Sequence, residues 1–180
     1  MQPLKMLFLA LLSLFLSNNL FGQPGNFHDS RDKVTISAML DQSKVPQGGD
    51  AILAVILEHE DTWHAHTNNP VVPAELGSAE DYIATELHFD IPDGAGVTIH
   101  EGFIQWPKSH TVNVGFGSSP VDYDVFDGTA IIYVPLTVNS DAKLGDITIK
   151  LKPVFQACDD SSCMRPTPKP GDGSRWDDYG

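Results

Sequence analysis

Short apolar runs of strand length, separated by glycine- and proline-bearing connections, constrain the fold of this chain more than any other feature of its sequence. Residues 33–40 and 86–91 alternate apolar and polar side chains, which is the period of a half-buried β-strand. Residues 51–57 form a continuous apolar run, typical of a buried sandwich strand. Two further runs, 129–136 and 145–152, also have strand character, and no segment shows sustained helical periodicity. This pattern predicts an all-β fold, most simply an immunoglobulin-like β-sandwich.

The first 22 residues have the organisation of a secretory signal peptide. Lys5 precedes an almost unbroken apolar run over residues 7–16, and small and polar residues follow it. The run is shorter than the roughly 20 apolar residues that cross a bilayer as a helix. We therefore expect cleavage near Gly22 and a mature chain that is periplasmic or secreted and not inserted in a membrane. An uncleaved N-terminal anchor is the alternative.

The chain is strongly acidic, with 24 Asp and Glu against 11 Lys and Arg and a formal net charge of −13. Such a surface repels phosphate backbones, so nucleic acids and anionic membranes are not expected partners. The sequence has no Ser-His-Asp arrangement and no phosphate-cradling glycine loop, so hydrolysis and phosphoryl transfer are not indicated. No cofactor is expected.

The only two cysteines, Cys158 and Cys163, are five positions apart. In an exported chain such a pair can form a disulfide that persists. Closing so short a loop stabilises a fold by only about 2 kcal/mol, against roughly 4 kcal/mol or more for a loop that spans a domain. The spacing therefore favours a pair that changes redox state, and a local structural disulfide is the alternative.

Four turn-forming residues, 159–162, separate the cysteines and predict a tight reversal with the two sulfurs facing each other. Asp159 and Asp160 belong to this turn. We expect their carboxylates to disfavour a neighbouring thiolate, with only Arg165 close in sequence to oppose them. Such a dithiol should react slowly with random oxidants and faster inside a docked complex.

Four segments carry a family resemblance. Residues 155–158 lead into Cys163, residues 61–70 contain a Trp-His pair followed by Asn-Pro, residues 104–107 end in Trp-Pro, and residues 121–128 are aromatic and acidic. In order and rough spacing, these segments resemble parts of the N-terminal periplasmic domain of the thiol:disulfide interchange protein DsbD. The resemblance predicts one domain over residues 28–167, after which residues 168–180 are expected to form a disordered tail.

The resemblance implies an immunoglobulin-like domain that receives electrons from a thioredoxin-like domain and passes them to oxidised exported proteins. This is the activity of a bacterial protein-disulfide reductase, a family associated with cytochrome c biogenesis. Carried over, Cys163 forms the mixed disulfide with the partner and Cys158 resolves it. The family also shields its cysteines with an aromatic cap loop. The candidates here are Phe116, Tyr123 and Phe126, with His64, Asp159 and Asp160 in the surroundings of the site.

The sequence departs from the family pattern in two ways. The family protein continues into a multi-span membrane segment and a thioredoxin-like domain, whereas this sequence ends at Gly180. We therefore expect the electron donor, a thioredoxin-like protein or a membrane electron transporter, to be a separate chain. Asp61 and Thr62 stand where the family has a glycine, which is expected to alter the turn before Trp63, and Asp124 replaces a second glycine.

Two other functions stay open. The first is a non-catalytic immunoglobulin-like binding domain whose disulfide only pins the last hairpin. The second is a Cu- or Zn-binding protein, because His64 and His66 share one strand face, His59 is close, and thiolates favour Cu(I). The spacing supplies no third or fourth ligand, so no metal site is predicted, and His64 is expected to pack beside Trp63.

Overall fold

The computed structural model describes residues 28–115 and 119–170. The predicted signal peptide, the candidate cap residue Phe116 and residues 171–180 of the predicted tail lie outside the described residues. Within the described ranges there are ten β-strands and no α-helix. The strands are β1 (Val34–Leu40), β2 (Asp50–His59), β3 (His64–His66), β4 (Glu86–Asp90), β5 (Val97–Ile99), β6 (His110–Val114), β7 (Val121–Asp127), β8 (Thr129–Val138), β9 (Lys150–Val154) and β10 (Ala157–Cys158).

Four short 3-10 segments complete the regular structure of the described residues: Ser30–Asp32, Ala74–Leu76, Ala79–Asp81 and Glu101–Phe103. The third of them is a single turn centred on Glu80. None of the described segments forms a helix long and apolar enough to cross a membrane.

The first sheet has the strand order β1-β2-β8-β5, and all of its pairs are antiparallel. Its two long central strands pair from Asp50 opposite Thr137 to Glu58 opposite Thr129. Along β8, every second side chain from Ala130 to Leu136 is buried, so one face of the sheet is apolar. The strand predicted over residues 129–136 is confirmed as part of β8.

The second sheet has the order β10-β3-β7-β6 and is also antiparallel. Its short strand β3 lies between β10 and β7, so that His64 is opposite Cys158 on one side and Asp127 on the other. The arm that carries Cys158 is thereby held beside a histidine-rich strand that lies almost a hundred positions earlier in the chain.

The smaller third sheet pairs β4 with β9, from Glu86 opposite Val154 to Asp90 opposite Lys150. The strand predicted over residues 145–152 was placed too early, because β9 begins only at Lys150. Two causes are visible: Gly145 has a φ of +134°, and β4 ends at Asp90, so earlier residues have no strand to pair with.

One hydrophobic core joins the two larger sheets. Val55, Leu57 and Ile132 from the first sheet pack in the same buried cluster as Ala65 and Phe126 from the second. Phe155, between β9 and β10, is fully buried in this cluster and anchors the approach to the cysteines. Two antiparallel sheets sharing one core form a β-sandwich. The predicted all-β, immunoglobulin-like sandwich is confirmed.

The turn before Trp63 keeps a left-handed residue although no glycine is present. Thr62 has a φ of +73°, and the Trp63 N–H donates to the Glu60 carbonyl oxygen at 3.0 Å. A β-branched residue rarely adopts this conformation, whereas glycine adopts it at no steric cost. Thr62 therefore takes the backbone geometry that a glycine would favour at this position.

Candidate redox site

Cys158 and Cys163 form a disulfide at the tip of a tight reversal, with their Cα atoms 3.9 Å apart. The Asp159 N–H donates to the Ser162 carbonyl oxygen at 2.8 Å, which closes the turn between them. Cys158 is 0% exposed, whereas Cys163 is exposed to solvent. The two sulfurs therefore differ in their access to a partner, although one bond joins them.

Backbone hydrogen bonds hold the two arms of the reversal together behind the cysteines. The Met164 N–H donates to the Ala157 carbonyl oxygen at 2.8 Å, and the Thr167 N–H donates to that of Phe155 at 2.9 Å. The Thr167 hydroxyl accepts from the Phe155 N–H at 3.0 Å, which pairs a buried donor. The hairpin is thus closed by backbone hydrogen bonds as well as by the disulfide.

Ser30 ties the start of the domain to both arms. Its hydroxyl accepts from the Ala157 N–H and donates to the Arg165 carbonyl oxygen, both at 2.8 Å. Its own N–H donates to the same carbonyl at 2.8 Å. Ser30 is fully buried, so each of these groups would lose its partner without it.

Asp159 organises the turn itself. Its Oδ1 accepts from the backbone N–H groups of Ser161 and Ser162 at 2.8 and 2.7 Å, and from both of their hydroxyls. The backbone hydrogen bond from Ser161 is the largest cause that lowers the pKa of Asp159 below its usual value. The neighbouring Asp160 is exposed.

His66 is the side chain that contacts the buried sulfur. Its Nε2 lies 3.6 Å from the Cys158 Sγ, and the residue is only 1% exposed. Burial, and secondly the nearby His64, lower the pKa of His66 to about 4. The imidazole is therefore neutral at neutral pH and can act either as a donor or as an acceptor toward the sulfur.

Two tyrosines surround the other side of this imidazole. The Tyr123 hydroxyl lies 3.2 Å from the His66 Nδ1, and the rings of Tyr82 and Tyr123 both pack against the His66 ring at centroid distances of 5.0 and 5.7 Å. Burial, and secondly Tyr82, raise the pKa of Tyr123, so its hydroxyl keeps its proton. A hydroxyl both donates and accepts, so it can hold either tautomer of His66.

The other residues predicted for the site lie at several depths. Tyr123 and Phe126 are buried on β7, where Phe126 stacks on Trp106 with ring centroids 6.3 Å apart. Asp124 is exposed on the same strand and accepts from the Thr111 hydroxyl at 2.7 Å. The cap role assigned to Phe116, Tyr123 and Phe126 stays a prediction.

His64 is buried opposite Cys158, but its Nε2 has no hydrogen-bond partner among the described residues. Burial lowers its pKa, which Asp160 partly opposes. His64 and Trp63 line the same surface cleft together with Asp160. The sequence singled out His64 for the site, whereas the structure brings His66 against the sulfur.

Sequence reasoning missed Ser30, Tyr82 and the contact between His66 and Cys158. The available signal for His66 was its place two positions after His64, which indicated only a shared strand face. Its contact with the cysteine depends on the pairing of β3 with β10, two strands too short to show a periodic pattern.

The His66 Nε2 and both sulfurs lie within 4.8 Å of one another, a grouping of metal-ligand type.

The comparisons with known proteins add little to this geometry. No family model matches the chain, and no curated protein matches it. One solved structure that it resembles is the crystal structure of the N-terminal periplasmic domain of ScsB from Proteus mirabilis, at 19% identity and a TM-score of 0.43. The similarity covers 78% of this chain and 50% of that chain. At these values it carries no argument about family or function.

Proposed function

We propose that this chain is an exported thiol–disulfide exchange domain that relays electrons to or from protein partners through Cys158 and Cys163. The observation that carries the proposal is the unequal access of the two sulfurs, with Cys163 exposed and Cys158 buried against His66. Exchange needs one sulfur that a partner can reach and a second that releases the intermediate. Hydrogen bonds also close the hairpin, so the disulfide is not its only closure.

Reduction begins when a donor thiolate attacks the exposed Cys163 sulfur. The intramolecular S–S bond breaks, Cys158 leaves as a thiolate, and a mixed disulfide joins the donor to Cys163. A second donor thiol then attacks the donor's own sulfur and releases Cys163. The donor ends as a disulfide, and this chain ends with two thiols after taking up two protons.

Delivery to an acceptor runs through the same bonds in the opposite direction. The Cys163 thiolate attacks an acceptor disulfide and releases one acceptor thiolate. Cys158 then attacks the Cys163 sulfur, so the intramolecular disulfide re-forms and the second acceptor thiolate leaves. The acceptor gains two electrons and this chain loses two.

Both directions pass through a Cys158 thiolate, which burial alone disfavours. His66 offsets this cost. With the Tyr123 hydroxyl donating to Nδ1, the Nε2 carries the hydrogen and points it at the sulfur 3.6 Å away. A hydrogen bond to the charged form favours that form, even from a neutral donor. His66 contacts a reacting atom, and we assign it a catalytic role within the proposal.

The proposed partners are thioredoxin-like proteins or domains and other exported disulfide proteins, with a membrane electron transporter on a separate chain as a further source of electrons. The acidic composition of the chain favours partners with a basic rim around their own cysteines. The proposed location is the periplasm or the exterior of the cell.

The redox potential tests the proposal against a structural disulfide. A structural bridge should have a potential below about −300 mV, whereas an exchange pair should lie closer to thioredoxin-like proteins. The purified chain can be equilibrated with glutathione buffers and with a reduced thioredoxin-like donor. We expect its disulfide to become reduced within the range of redox potentials that these donors reach. A bridge that stays oxidised throughout would overturn the proposal in favour of the non-catalytic domain.

Trapping tests the division of labour between the cysteines. A Cys158→Ala variant should accumulate mixed disulfides through Cys163 when it is exposed to a disulfide-bearing partner. The matched Cys163→Ala variant should accumulate few, because its remaining thiol is buried. Equal trapping by the two variants would contradict the assigned roles, and no trapping by either would count against exchange itself.

A further inference from the structure

We propose that the reduced site binds Cu(I), with the Cys158 Sγ, the Cys163 Sγ and the His66 Nε2 as its three ligands. The inference depends on the proposed function only in that the disulfide must be reducible. A dithiol or phosphine reductant supplies two electrons to the disulfide and leaves two thiols, and binding of the cation then releases the two thiol protons.

The three ligand atoms are already assembled in the oxidised chain, where they lie within 4.8 Å of one another. Two of them are fixed by the sheet, because His66 on β3 and Cys158 on β10 belong to paired strands. The third, Cys163, lies on the exposed return arm and can move when the S–S bond breaks. A site with two fixed ligands and one adaptable ligand suits a cation that enters from solvent.

His66 is prepared as a ligand by its surroundings. It is fully enclosed, and the Tyr123 hydroxyl holds its Nδ1 at 3.2 Å, so that Nε2 is the nitrogen facing the sulfurs. Metal-binding histidines are usually oriented in this way by a partner on the nitrogen that does not bind the metal. In this state Nδ1 carries the hydrogen and donates it to the tyrosine oxygen.

The donor set selects the metal. Two thiolates and one imidazole are soft or borderline ligands, which suit Cu(I), and three ligands satisfy that ion. Structural Zn²⁺ almost always takes four ligands, and the grouping found among residues 28–115 and 119–170 has only three. The nearest acidic side chain in sequence, Asp159, has its Oδ1 engaged by the turn. The site is therefore better matched to Cu(I) than to Zn²⁺.

Binding would then depend on redox state. The disulfide offers no thiolates, so the oxidised chain should not bind the cation, and a bound cation should block exchange by occupying both sulfurs. The same three atoms would serve either electron relay or metal capture, according to which partner meets the reduced chain first.

The experiment is an anaerobic titration of the fully reduced chain with Cu(I) against a chromophoric Cu(I) chelator. We expect one equivalent to bind to the reduced chain and none to the oxidised chain. His66→Phe keeps a buried ring but removes the nitrogen ligand and should weaken binding at least about tenfold. The control His88→Phe, on β4 in the separate small sheet, should bind as the parent chain does.

Two outcomes would overturn the inference: a reduced chain that takes up no Cu(I), or a His66→Phe variant that binds as tightly as the parent. If that variant fails to fold, X-ray absorption of the unaltered chain loaded with Cu(I) identifies the coordinating atoms. A coordination shell of sulfur atoms alone would exclude His66 as a ligand and overturn the inference. A chain that binds Cu(I) but exchanges with no thiol donor would refute the proposed function and leave this site standing.

Discussion

At Asp159 a single carboxylate oxygen holds the turn between the cysteines, since two backbone N–H groups and two hydroxyls all donate to it. The sequence indicated that this aspartate would act on a thiolate through its charge. The hydrogen bonds give it a second task, which is to keep the two sulfurs close when the disulfide is open. Charge and geometry can be separated by substitution.

We expect Asp159→Ala to make the disulfide easier to reduce, because the loosened turn lowers the effective concentration of one thiol near the other. If one or two of these hydrogen bonds, worth about 1 kcal/mol each, are what hold the thiols together, the equilibrium with glutathione should shift by roughly tenfold. Asp159→Asn keeps an acceptor oxygen and should shift the equilibrium with glutathione less. If the asparagine variant matched the alanine variant, charge and not turn geometry would be the cause.

Thr62 gives a second prediction at the scale of one residue. Its left-handed backbone costs about 1–2 kcal/mol for a residue with a Cβ. Thr62→Gly removes that cost. Glycine also makes the unfolded chain more flexible, which raises the entropy lost on folding. We therefore expect the free energy of unfolding to increase by only about 0.5–1 kcal/mol. The matched control, Thr35→Gly within β1, should destabilise by a similar amount. Urea denaturation measures both, and a destabilised Thr62→Gly would contradict the account.

At the scale of elements, the site depends on contacts between segments that are distant in sequence. The Ser30–Asp32 segment meets both arms of the last hairpin through Ser30, and β3 supplies His66 to a sulfur on β10. None of these elements is longer than three residues. Their positions come from the larger sheets around them and not from their own propensities.

Ser30→Ala should destabilise the domain by about 1–3 kcal/mol, because the buried Ala157 N–H would be left without its acceptor. The change in the free energy of unfolding can be measured by urea denaturation. Ser37→Ala, at an exposed position of β1, is the matched control and should stay within about 0.5 kcal/mol. If Ser30→Ala lost no more stability than this control, the hydrogen bonds of Ser30 would contribute nothing to the stability of the domain.

The whole molecule should lose stability on mild acidification. Burial lowers the pKa values of His59, His64 and His66, the last to about 4 from 6.5. Between these two pH values, the unfolded chain binds a proton at His66 that the folded chain does not. The free energy of unfolding should therefore fall as the pH drops from about 6.5 to 4, by at most about 3 kcal/mol for His66.

Denaturation of the chain at pH 7.5 and at pH 4.5 measures this loss. His66→Phe cannot take up the proton, so the difference between the two pH values should shrink in that variant. The His88→Phe control should keep the difference of the parent chain. An unchanged pH dependence in His66→Phe would mean that the buried imidazole is not the group responsible.

The sandwich could be predicted because its main strands carry local apolar patterns, alternating in residues 33–40 and continuous in residues 51–57. The reversal between the cysteines could be predicted for a similar reason, since Asp159 and its neighbours are turn-forming residues. The surroundings of Cys158 could not be predicted from the sequence. His66 reaches its sulfur across 92 positions, and no local pattern records a contact of that range.

Ser30 also has a consequence for how the domain can be joined to other chains. It lies close to the first described residue, and its two partners, Ala157 and Arg165, flank the cysteines. The N-terminal end of the described domain therefore lies at the face that carries the disulfide, whereas Pro170 lies away from it, beside Glu86 and Lys152 of the small third sheet. A redox protein fused at the N-terminal end through a short flexible linker would start beside Cys163, at an effective concentration in the millimolar range. Fusion geometry, and not affinity alone, would then set the rate of electron transfer.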